Sequence, residues 1–138
     1  MATHTELFHR SRAEAGLSPS SNVVRLLEVS CGVDAADAEQ RCRPYLLEKY
    51  AHYASWGLEG LSLDRDASPS EPFQALAVYR FVVGDPETVI AGLLTQYEIG
   101  MRHLSMRVSW PGMPQKDILA GIERLGRDVL PEVRRLSA

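Results

Sequence analysis

The hydrophobic positions of this chain fall into two alternating rhythms. Val23-Val-Arg-Leu-Leu-Glu-Val-Ser-Cys-Gly32, Val78 to Val83 and His103 to Trp110 are short runs of branched or alternating apolar residues, and they predict strands. In the third run Leu104, Met106 and Val108 alternate with Ser105, Arg107 and Ser109. Around these runs the period becomes that of a helix. Thr5 to Ala15 predicts a first helix, with Leu7 as its main buried residue and Phe8 beside it. A second runs from a cap at Asp34 or Asp37 to about Ser55, with Cys42, Leu46, Tyr50 and Tyr53 as its apolar stripe. Pro44 should kink this helix or split it in two. Pro86 to Tyr97 is a third, capped by Asp85 and burying Val89, Ile90, Leu93, Leu94 and Tyr97. The last helix runs from Pro114 or Gln115 to about Leu136. Its stripe is Ile118, Leu119, Ile122, Leu125, Val129 and Val133, and Pro131 should bend it.

The resulting order, α, β, α, β, α, β, α, predicts an α/β fold with three parallel strands and about four helices. Its crossovers should be right-handed. Residues 57–73 read as a long excursion, followed by a short helical turn at Phe73 to Leu76. The length of 138 residues fits one domain over 1–138, and 45% hydrophobic with 24% charged residues is the balance of a globular protein. A net charge of −3 supplies no basic field, so nucleic acid and anionic membrane surfaces are not expected partners. No apolar run approaches the ~20 residues that span a bilayer. The first ten residues lack a signal-peptide core, so a cytoplasmic location is the expectation. Cys31 and Cys42 do not make a disulfide framework. The histidines, His4, His9, His52 and His103, lack the spacing of a metal site, so no metal is expected. No P-loop, Gly-x-Gly-x-x-Gly or Ser-His-Asp set is present.

In parallel α/β folds ligands bind at the C-terminal ends of the strands. That rule selects Cys31-Gly32, Gly84-Asp85-Pro86 and Trp110-Pro111-Gly112-Met113. The N–H groups after Gly84 would suit an anion such as a phosphate, but an Asp85 cap would occupy them and repel it. Trp110 would wall a pocket for a flat ring or simply cover the end of the core; Met113 is an adaptable lining. Arg25 and Glu28 are an odd number of residues apart, so they lie on opposite faces of a regular strand, and one of them points into a polar interior or sits near a strand end. Arg80 and Arg107 would neutralise a phosphate, pair with a carboxylate such as Glu28, or stand at the surface. Cys31 reads as a small buried thiol rather than a nucleophile.

Two turns, Val82-Val-Gly-Asp-Pro-Glu87 and Val108-Ser-Trp-Pro-Gly-Met-Pro114, closely resemble the C-terminal end of luciferase-like flavin-dependent monooxygenases. The resemblance is strong over Arg80 to Arg135, moderate over Asn22 to Ala54 and weak over Glu6 to Pro19. It implies units six to eight of a (β/α)8 barrel, and hence a partial TIM barrel. It also implies a reduced FMN or coenzyme F420 cofactor and a small-molecule substrate, often oxidised with O2. Gly84, Asp85, Trp110, Pro111, Gly112 and Met113 would then line the pocket mouth, and no catalytic residue carries over. A whole barrel takes roughly 250 residues, and strands one to five have no counterpart here. The implied readings are a short homologue, one half of a split enzyme, or a truncated product. The isolated chain would then bind flavin weakly or not at all. Another possible role is a catalytically inactive structural or ligand-binding partner. A homodimer is expected because Val82, Leu104 and Met106 would lie on a sheet face without helices; a complementary barrel fragment is the alternative partner.

Overall fold

The computed structural model describes residues 2–18, 23–57, 73, 76–77 and 80–137. Most of the excursion expected over 57–73, and the start of the strand expected from Val78, lie outside these residues. Helix α1 spans Ala2–Glu14, β1 Val24–Cys31, α2 Ala35–Ser55, β2 Phe81–Gly84, α3 Pro86–Glu98 and β3 His103–Arg107. The C-terminal helix follows in three pieces: α4 at Gln115–Arg124, one π-helical turn at Leu125–Val129, and α5 at Leu130–Leu136. Counted as one rod, it brings the helices traced among the described residues to four, beside helical positions at Phe73, Leu76 and Ala77. The α/β class, the parallel strands and the helices between them match the sequence expectation.

The strand order is β2-β1-β3, all parallel. Glu28 to Cys31 pair with Phe81 to Gly84, while Val24 to Glu28 pair with His103 to Arg107. Glu28 is therefore the one position of β1 flanked on both sides. Consecutive staves of a barrel would neighbour each other in chain order; here the β2–β3 connection crosses β1. Reversing direction while keeping right-handed crossovers puts the connecting helices on opposite faces. The packing agrees. Leu27, Val29, Cys31 and Val82 face Val89 and Leu93 of α3 and Leu125 and Val129 of the π turn. On the other face Phe81 packs with Cys42, Leu46 and Tyr50 of α2 and with Trp110. The bare face expected over Val82, Leu104 and Met106 is absent: Val82 is buried and the other two pack against the α3-side core.

Several local expectations change. Leu7 and Phe8 are exposed. Adjacent apolar residues diverge by a third of a turn and do not make a face without partners three or four residues on. Pro44 does not split α2, because Ala38, Cys42, Leu46 and Tyr50 are buried on both sides of it and hold the two halves on one sheet. Pro131 acts one turn earlier, where the Leu130 N–H bonds back to Leu125 O, five residues away. Proline lacks an N–H and its ring crowds the carbonyl four residues before it, so the helix widens there. β3 ends at Arg107 instead of Trp110: its pairing with β1 stops at Glu28, although β1 itself continues to Cys31. Arg80 lies in the turn before β2, its N–H bonded to Ala77 O at 3.0 Å. No helix among the described residues is long and apolar enough to cross a membrane.

Candidate functional site

Glu28 is the unusual residue of the sheet. Its side chain points to the α2 face, opposite Arg25, whose guanidinium bonds Gln96 on the α3 side. Glu28 is only 4% exposed, and a buried carboxylate needs paired charge and hydrogen bonds to stay ionised. Three donors meet it. Lys49 Nζ from α2 and Arg107 Nη1 from β3 both donate to Oε1, the latter at 3.3 Å. Trp110 Nε1 donates to Oε2 at 2.8 Å. No buried side-chain polar atom among the described residues lacks a partner. Nearby, burial and then the Glu28 charge push the Tyr50 phenol up to about 12. Tyr50 is thereby kept neutral.

This network floors a cavity of about 580 Å³ between α2 and the end of β3. α2 contributes Tyr45, Glu48, Lys49, His52 and Tyr53, with Trp56 just past its end; the β3 end contributes Arg107, Ser109, Trp110 and Pro111. The α2 residues recur at helical spacing, as a second stripe beside the buried Cys42, Leu46 and Tyr50. That spacing is the signal in the sequence that would have found Lys49, Tyr45 and His52, which reading for the core alone passed over. The cavity exists because α2 covers β1 and β2, while no described helix covers the same face of β3.

The sequence candidates separate. Trp110 and Pro111 line the cavity, and Trp110 is also buried in the α2-side core, so its two readings coincide. Gly112 makes the turn after it with φ +85°, a conformation that favours glycine. Met113 packs partly buried against the α2-side core. Gly84 and Asp85 lie on the other edge strand and are not part of the cavity. A Cβ at Gly84 would come within 2.6 Å of the Thr88 side chain. Asp85 caps α3 by accepting from Thr88 N at 2.8 Å, and bonding to Thr88 holds its carboxyl below the usual range. Cys31 is buried, and burial pushes its thiol up to about 11, as suits a packing residue.

The crevice between the ends of β1 and β3, where the chain direction switches, is smaller, about 280 Å³. Arg41 lines it, bonding Asp37 at 2.7 Å and Asp117 at 3.3 Å. Burial works against the Asp37 charge, but the Arg41 and Val33 N–H hydrogen bonds outweigh it and hold its carboxyl low. The general rule for ligand position thus identified one wall of the larger cavity, the loop after β3, while α2 supplies the other.

Among solved structures, the crystal structure of monooxygenase RslO1 from Streptomyces bottropensis is similar, with a TM-score of 0.72 and 17% sequence identity. The match covers 95% of this chain and 37% of that one. It shows a shared fold, and this chain spans little more than a third of that protein's length. No protein-family model matches the chain, and no curated protein does.

The residues present fit a flavin only in part. Tyr45, Tyr53, Trp56 and Trp110 give surface for a flat ring. A phosphate finds no comparable place. The turn at Gly84 is closed by the Asp85 carboxylate, Lys49 is locked by Glu28, and Arg107 alone, already shared with Glu28, would have to balance a phosphate dianion.

Proposed function

We propose that this chain is the C-terminal part, or a short relative, of a luciferase-like flavin-dependent oxidoreductase of the monooxygenase type. The observation that carries this reading is the match of nearly the whole chain to part of one longer monooxygenase. The two turns after β2 and β3 support it independently, through their sequence resemblance. FMN or coenzyme F420 would supply the oxidative chemistry when bound. This chain's contribution is the aromatic wall of α2 and Trp110, held in place by Glu28. A partner supplying further βα units would supply the phosphate site.

A second reading is favoured by the Asp85 cap and the locked Lys49: a non-catalytic partner that assembles with itself or with a complementary fragment. Titration of the chain with FMN and with F420, read by flavin fluorescence, separates the two. The oxidoreductase reading expects weak but saturable binding that Trp110→Phe weakens further. No saturable binding at millimolar flavin supports the non-catalytic partner. A submicromolar dissociation constant for the chain alone would overturn the view that it lacks a phosphate site.

A further inference from the structure

At the buried floor of the cavity Lys49 and Arg107 share one carboxylate, Glu28; the other carboxylate of the lining, Glu48, stands at the rim beside His52 with its side chain 71% exposed. The two cations are not equivalent. The Lys49 side chain is 12% exposed, and its ammonium also lies 5.2 Å and 5.3 Å from the ring centroids of Tyr50 and Tyr53. It is locked in place. The Arg107 side chain is 36% exposed and makes one contact to Glu28 at 3.3 Å, at the long end for a charged pair. A guanidinium has five N–H donors in a planar fork. Most of the capacity of Arg107 is therefore unused at the wall of the cavity.

Tyr45, Tyr53, Trp56 and Trp110 supply the aromatic part of the lining, beside His52, Ser109 and Pro111. Trp110 gives its one polar atom to Glu28 and leaves only apolar ring surface for the cavity. Tyr45 and Tyr53 stand across from it on α2, with Trp56 just past the helix end. At about 580 Å³ the space lies within the ~300–1,000 Å³ of small-molecule sites. Aromatic walls beside one planar, under-used cation suit a flat ring with a planar anion attached directly to it. We infer that this cavity binds small aromatic carboxylates, with the ring among Tyr53, Trp56 and Trp110 and the carboxylate on Arg107. The inference rests on the oxidoreductase reading only in making such a molecule the substrate; the binding stands on the cavity itself. FMN does not meet the description, because its phosphate is separated from the ring by a ribityl chain.

The test compares 2-naphthoate with its neutral isostere 2-naphthamide, each titrated into the whole chain and read by tryptophan fluorescence. The carboxylate is expected to bind at least about tenfold more tightly, the ratio that ~1.4 kcal/mol represents. Arg107→Gln is expected to bring the carboxylate down to the affinity of the amide. Equal affinities in the unmodified chain overturn the inference without recourse to any variant. A preference that persists in Arg107→Gln, with circular dichroism showing the variant folded, also overturns it. FMN added alone is the separate test of the flavin reading. Its failure to bind leaves the naphthoate ratio intact, so the two ideas fail independently.

Discussion

Glu28 shows how one residue can organise a site. Its burial would be costly by itself, and Lys49, Arg107 and Trp110 offset that cost from two different elements. Glu28→Ala would leave two cations facing each other without a counter-charge. It is expected to destabilise the fold by about 3 kcal/mol, the lower end for a broken buried pair, because Arg107 is partly solvated. Glu28→Gln keeps an acceptor for the indole and should cost clearly less. Urea unfolding of the three proteins measures both differences, and a Glu28→Ala midpoint equal to that of the parent chain would show that the network adds nothing. Part of this was legible in the sequence. The odd separation of Arg25 and Glu28 put them on opposite faces, and Arg107 was a possible partner for Glu28. Lys49 was not legible, since a lysine beside an apolar stripe reads as a solvated flank until the neighbouring strand is in place.

At the scale of elements, periodicity located each strand and helix of the described residues, and the caps set the start of α3 at Asp85 and narrowed that of α2 to Asp34 or Asp37. Asp34 accepts from Asp37 N at 2.8 Å, and Asp85 does the same for Thr88. Asp34→Ala should cost about 1 kcal/mol. The Asp85 carboxyl is held low in the folded chain, so its contribution is fully present above the unfolded value of about 3.9. That contribution is lost as pH falls through the lower folded value. Asp37, also held low, adds a loss over the same acid range with the same sign. Asp85→Asn retains a cap oxygen but does not titrate. The stability difference between it and the parent chain should shrink as pH is lowered from 5 towards 2, read by thermal unfolding at each pH. A difference constant with pH would mean that the carboxylate charge is immaterial. What the pattern did not reveal was how the prolines are absorbed. Pro44 is tolerated by packing and Pro131 by a π turn, and both outcomes depend on tertiary contacts.

At the scale of the whole molecule, the strand order was the least legible feature. Three short strands of similar composition do not declare which is central; the crossovers decide it, and these put β1 between the other two. The order also changes the argument about association. A sheet bare on one face would dimerise strongly, but here helices pack on both faces and only the β3 part of the α2 side is left open. Exposed apolar residues are scattered, and the two pairs nearest the sheet are divided between its faces. Val24 and Leu26, 64% and 53% exposed, lie on the α2 face at the start of β1. Leu119 and Ile122, 55% and 48% exposed, lie on α4, whose following turn packs on the opposite face. One two-fold interface can bury one of these pairs, not both. Full burial of such a side chain is worth about 1.5–3 kcal/mol, so covering the half still exposed returns ~1 kcal/mol each. Two residues on each of two subunits give ~4 kcal/mol, against an association cost of about 4–15 kcal/mol. The open edges add little, being only four residues in β2 and five in β3. Self-association through either patch should therefore be weak, and a tight partner must cover more, including the β3 edge and the aromatic wall of α2. Sedimentation equilibrium at low micromolar concentration is expected to give a mass near the 15.3 kDa monomer, rising only as concentration increases. A stable dimer at those concentrations would show that a larger surface than these two patches is buried between copies.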